Sequence, residues 1–124
     1  MNLVDSSGWL EYFADGKNSD FFAPVIEDPD NLIVSTINIY EVFKKILKER
    51  NENAALQVIT VMQQAMVKDV DLNISLLGAK LSQEHKLPMA DSIILATAKL
   101  HHATLWTQDS DFKDIPQVQF IEKE

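Results

Sequence analysis

Five short apolar runs recur along this chain, each too brief for a helix, and longer stretches of helical periodicity separate them. Leu32-Ile33-Val34 is the clearest: short, branched and preceded by the turn Asp28-Pro29-Asp30-Asn31, it reads as a buried strand. Asn2 to Val4, Val70-Asp71-Leu72, Leu105-Trp106-Thr107 and Gln119-Phe120-Ile121 are the other strand candidates. Ser6 or Ser7 caps a first helix through Trp9-Leu10-Glu11-Tyr12-Phe13, which Gly16 ends, and a short helix covers about Phe21 to Glu27. Ser35 or Thr36 begins a helix to about Arg50, with Ile39, Tyr40, Phe43, Ile46 and Leu47 at helical period. Further helices are predicted from about Glu52 to Lys68, from Ser75 to Lys86 and, with Pro88 in the first turn, on to about His102. Strands alternating with helices predict an α/β fold: a central, mainly parallel sheet flanked by helices.

The 124 residues contain no repeat, low-complexity tract or linker, so 1–124 read as one domain. With no cysteine, disulfides and thiolate-held metals are excluded. No apolar run approaches the ~20 residues of a membrane span. No basic region precedes Asp5, so a signal peptide is not expected and the default location is cytoplasmic. The net charge of −8 opposes a nucleic-acid partner, because such proteins usually carry a basic face. A metal held in an acidic pocket binds phosphate by itself, however. Lys44, Lys45, Lys48 and Arg50 then offer a local basic patch, unless they are only the solvated face of one helix.

Four acids stand out by position. Asp5 closes the first apolar run and Asp109 follows Leu105-Trp106-Thr107-Gln108, both where a strand hands over to the next element. In open α/β sheets that edge is where ligands bind. Glu41 and Asp91 interrupt the apolar segments Ile39–Phe43 and Pro88–Ala96, where a plain surface charge is less expected. Each has an ordinary reading: Asp5 as a helix cap, Glu41 in a surface pair with Lys45, Asp109 as a turn residue. Asp91 resists one, since it shares a helical stripe with Ile94, Leu95 and Ala98, and an unpaired buried carboxylate is expensive. Carboxylates brought to one point repel unless a cation sits among them, and a hard divalent ion with oxygen ligands suits that role. Adjacent His101 and His102 diverge on a helix and His85 has no partner at zinc spacing, so the histidines argue against other metals.

These pieces, in this order, resemble the PIN-domain ribonucleases, and most closely the single-domain VapC-type toxins of toxin–antitoxin pairs. The matching segments are Leu3-Val4-Asp5-Ser6-Ser7, Ile39-Tyr40-Glu41-Val42, Leu87 to Ala98, and Leu105-Trp106-Thr107-Gln108-Asp109-Ser110-Asp111-Phe112. The resemblance implies a three-layer PIN-like fold and an endoribonuclease dependent on magnesium, with manganese the alternative ion. It puts Asp5, Glu41, Asp91 and Asp109 on the family's acidic quartet, with Asp5 and Asp91 as direct metal ligands. Glu41 would stand in or just behind the coordination sphere, or help activate the water. Ser6 and Thr107 fall where hydroxyls orient the first aspartate. Asp111 competes with Asp109 for the fourth role; Asp109 is preferred because Asp111-Phe112 looks like the structural end of its motif.

The implied partners are an RNA substrate and a cognate antitoxin, in a homodimer or a toxin–antitoxin hetero-oligomer. The antitoxin's C-terminal segment would lie in an apolar groove and push a basic side chain into the acidic pocket. Trp9, Tyr12, Phe13, Phe21 and Phe22 would line such a groove or fill the core, and the helix around Val58, Met62 and Met66 is a candidate for burial against a partner. A PIN-like module that only binds, without catalysis, is the alternative, and the intact quartet speaks against it. A receiver-type phosphoacceptor domain would need an acidic pair after the first strand and a lysine at a late strand end. Here Ser6 and Ser7 follow Asp5, and no lysine ends a late strand before Lys123.

Overall fold

The computed structural model describes residues 1–124. Its strands are β1 (Asn2–Val4), β2 (Leu32–Ser35), β3 (Met66–Lys68), β4 (Thr104–Thr107) and β5 (Val118–Phe120). The helices are α1 (Ser6–Phe13), α2 (Ser19–Ile26), α3 (Thr36–Glu49), α4 (Glu52–Met62), α5 (Leu72–His85) and α6 (Met89–Leu100). The sheet runs β3-β2-β1-β4-β5 and every pairing is parallel, so the expected mainly parallel sheet is wholly so.

Side-chain alternation along the central strands sorts the core into two layers. Leu3, Ile33 and Leu105 face a cluster built with α5 and α6, which includes Ile74, Leu81, Ile94 and Leu95. Val4, Leu32 and Val34 face the opposite cluster, filled by Trp9, Phe22, Val42, Ile46, Ala55 and Met62 from α1 to α4. A sheet between two helical layers is the three-layer arrangement that the resemblance implies.

Two expectations fail on one segment. The helix predicted to Lys68 stops at Met62, and the edge strand is Met66–Lys68 instead of Val70–Leu72. Apolar periodicity continues past Met62 without a glycine or proline, but pairing of Ile33, Val34 and Ser35 with Met66, Val67 and Lys68 captures the segment as a strand. Asp71 then caps α5, its carboxylate accepting the Ile74 N–H at 2.9 Å, so Leu72 is helical. The partner-facing stripe proposed on α4 is also revised: Met62 is fully buried core, and Met66 lies 41% exposed on the sheet edge.

The strand order places a topological switch beside β1. From β1 the chain moves to β2 and β3 on one side, then returns to β4 on the other. Connections leaving β1 and β4 therefore part in opposite directions, opening a crevice at the carboxyl ends of these two strands. Asp5 follows β1 directly, and Asp109 follows β4 by two residues.

Candidate active site at the switch point

Asp5 stands at the N-cap position of α1, but its side chain caps nothing. Its backbone N–H donates to the Trp106 carbonyl at 2.9 Å, continuing the ladder to β4, and only 3% of the residue is exposed. One carboxylate oxygen accepts from the Ser7 hydroxyl at 2.8 Å and from the Thr107 hydroxyl at 2.9 Å. Thr107 Oγ1 in turn accepts the Asp109 N–H at 2.9 Å. The hydroxyl expected from Ser6 comes from Ser7; Ser6 instead donates to Glu41 Oε1 at 2.7 Å. Glu41 makes no ion pair with Lys45, which reaches Glu49 at 3.0 Å.

Asp91 lies in the first turn of α6, half-buried, with no hydrogen-bond donor directed at its carboxylate. Burial pushes it up to about 8, reinforced by the charges of Asp5, Asp109, Glu41 and Asp111. Asp5 is raised to about 6, chiefly by burial, against the opposing pull of its two hydroxyl donors. Oxygens of Asp91, Asp109 and Asp111 lie within 4.8 Å of one another, a spacing one cation can bridge. Asp5 falls outside that triplet, and Asp111 sits on the exposed rim, its N–H donating to Asp109 Oδ1 at 2.9 Å.

No lysine, arginine or histidine forms an ion pair with any of these acids, since the two ion pairs of the chain are Lys45–Glu49 and His85–Glu84. No cation of the chain is paired with the cluster, and all-oxygen donors suit a hard divalent ion. The donor set fits magnesium or manganese.

Asp5, Glu41, Asp91 and Asp109 all line one cleft of about 910 Å³. From the acids it extends over Leu10, Phe13, Ile46, Val58 and Val61, and Lys45 and Arg50 stand along its wall. The basic patch read from sequence therefore divides: Lys45 and Arg50 face the cleft, whereas Lys44 lies over the Tyr40 ring. The aromatic residues divide too, with Trp9 and Phe22 in the core and Phe13 in the cleft.

Three polar residues escaped the sequence reading. Asn38 is fully buried and donates to Ser6 at 3.0 Å. Asn18 and Gln108, both buried, bond to each other at 2.9 Å, and Gln108 also reaches the Ser7 carbonyl. A polar side chain one helical turn before Glu41 was the available signal for Asn38, because positions three apart share a helix face.

The PIN domain family matches residues 3–118, and the chain belongs to that family. No curated protein matches the sequence at a significant level. Among solved structures, a chain of a toxin–antitoxin complex from Klebsiella pneumoniae superposes with a TM-score of 0.81 at 27% identity, covering 96% of each chain. The Mycobacterium tuberculosis toxin VapC20, described as cleaving the sarcin–ricin loop, has a TM-score of 0.77 at 14% identity, over 94% of this chain and 95% of its own. VapBC2 from Rickettsia felis, bound to a promoter DNA fragment, gives 0.74 at 14% identity, over 99% and 98%. At such low identity the last two demonstrate the shared fold.

Proposed function

We propose that this chain is a single PIN domain that hydrolyses RNA internally with a carboxylate-held divalent ion, acting as the toxin of a cytoplasmic toxin–antitoxin pair. Asp91 carries the reading: a half-buried carboxylate with neither donor nor cation, facing acids on three other segments, makes sense once a metal shares the site. Asp5 and Asp91 would hold magnesium or manganese, with Asp109 the fourth acid and Asp111 at the rim. When bound, such an ion lowers the pKa of a water and offsets charge on a phosphodiester under attack. Thr107 and Ser7 hold Asp5 in place, and Glu41, fixed by Ser6, is positioned to orient the attacking water.

The likeness to the Klebsiella toxin–antitoxin complex supports an antitoxin partner, in a homodimer or hetero-oligomer. The cleft supports the same reading, since its apolar wall runs into the acids and would seat an antitoxin segment delivering a basic side chain. The test is incubation of antitoxin-free protein with a mixed transfer and ribosomal RNA pool, under magnesium, manganese or chelator, beside Asp91→Asn. Discrete metal-dependent fragments absent from the variant are expected. A protein that cuts nothing and gains no stability from either ion would be the binding module instead.

A further inference from the structure

Asn38 sits in the first turn of α3, completely buried, between the helix cap and the acidic cleft. Its Oδ1 accepts the backbone N–H of Ser35 at 3.1 Å, forming half of a capping box whose other half is the Ile37 N–H donating to Ser35 Oγ at 3.2 Å. A backbone N–H only donates, so the amide orientation is fixed, and the opposite end of Asn38 is its NH₂. That end donates to Ser6 Oγ at 3.0 Å. Ser6 has a single proton, and with Asn38 donating to its oxygen that proton goes to Glu41 Oε1, at 2.7 Å.

The result is a one-way chain of donors from Ser35 through Asn38 and Ser6 to Glu41, joining the turn after Asp5 to the helix that carries Glu41. A residue needed only to cap α3 would use its oxygen alone. Here one amide hydrogen is committed to Ser6, the residue next to Asp5. We propose that Asn38 is a positioning residue of the active site, fixing through Ser6 the direction in which the Glu41 carboxylate faces. The inference builds on the metal-dependent reading of the cleft.

Asn38→Asp separates the two roles, since a carboxylate still accepts the Ser35 N–H but has nothing to donate to Ser6. The experiment is a cycle of wild type, Ser6→Ala, Asn38→Asp and the double variant, read as kcat and KM for RNA cleavage and as Mn²⁺ affinity without RNA. Each single change is expected to lower kcat by about tenfold with KM little altered, the scale typical of groups that orient metal-site carboxylates. The double variant should be no slower than the worse single one. The carboxylate at position 38 also attracts the Ser6 proton, a contact missing from the Ser6→Ala background, so the cycle is repeated with Asn38→Ala, which adds no charge. Fully multiplicative losses, or an Asn38→Asp variant as fast as wild type, would overturn the proposal. If the wild type binds Mn²⁺ yet cuts no RNA, the ribonuclease reading fails by itself, and non-additivity in Mn²⁺ affinity decides the role of Asn38.

Discussion

The hydroxyl of Thr107 bridges the two strands of the switch point, donating to Asp5 at 2.9 Å while accepting the Asp109 N–H at 2.9 Å. One fully buried side chain thereby sets both the acid after β1 and the backbone of the acid after β4. Thr107→Val keeps the shape and removes both bonds, leaving the part-buried Asp109 N–H without its acceptor and the Asp5 oxygen with Ser7 as its one donor. The expected loss is about 1–3 kcal/mol, seen as a lower urea midpoint with an unchanged slope. Thr107→Ser should recover most of it.

Asp91 ties stability to pH in a direction opposite to that of most surface carboxylates. Its folded pKa is raised from 3.8 to about 8, and that of Asp5 to about 6. Between the ordinary and raised values the folded state binds protons that the unfolded state has released. The contribution of these two groups to the stability of the metal-free fold is therefore complete below about pH 4 and is lost as pH climbs toward 8. Calorimetric Tm values from pH 5 to 8 should fall in wild type and stay flatter in Asp91→Asn.

Divalent ion reverses that slope, because the bound site needs ionised carboxylates and binding releases protons. Mn²⁺ at a hundred times its Kd should add about 2.7 kcal/mol, with tighter binding at pH 8 than at pH 6. Asp91→Asn should show little of this gain. Equal metal stabilisation in both proteins would move the ion to Asp109 and Asp111 alone.

Close approach of α1 to the sheet gives a prediction about the frame of the site. A Cβ on Gly8 would lie 2.6 Å from Phe22 Cε1 and 2.7 Å from Val4 Cγ1, both side chains fully buried. Gly8→Ala should destabilise by about 1–3 kcal/mol despite alanine's better helix propensity. On α5, a Cβ on Gly78 would meet Ile93 Cγ1 at an ordinary 3.5 Å. Gly78→Ala should accordingly stabilise by up to about 1 kcal/mol. Urea unfolding of the two variants gives opposite signs if α1 packs as described.

Much of this frame was written locally in the sequence. Leu32-Ile33-Val34 announces a buried strand by branching and brevity, and acids just past Val4 and Thr107 mark the sheet edge. What was not legible depends on distant pairing. Met66–Lys68 continues the helical period of α4, and only hydrogen bonding to β2 makes it a strand. Spacing likewise could not decide which of Ser6 and Ser7 would face Asp5. That choice follows from how the chain turns from β1 into α1, which directs Ser7 to Asp5 and Ser6 toward α3.

The charge of the cleft leads to a final prediction. Against a net charge of −8, Arg50 and Lys45 bring positive charge to the cleft wall. Lys45 already pairs with Glu49, whereas Arg50 forms no ion pair and stands free to meet a phosphate. Arg50→Ala should raise KM for RNA severalfold while leaving kcat nearly unchanged, because Arg50 forms no ion pair with any of the acids. If Arg50 meets one phosphate of a single strand, the slope of log affinity against log salt should become shallower by about 0.7. Lys45→Ala should have the smaller effect, since Lys45 is already engaged by Glu49 at an exposed, well-screened position. An Arg50→Ala variant with wild-type KM and salt slope would direct the RNA away from α3, toward the side of the acids lined by Ser110, Phe120 and Lys123.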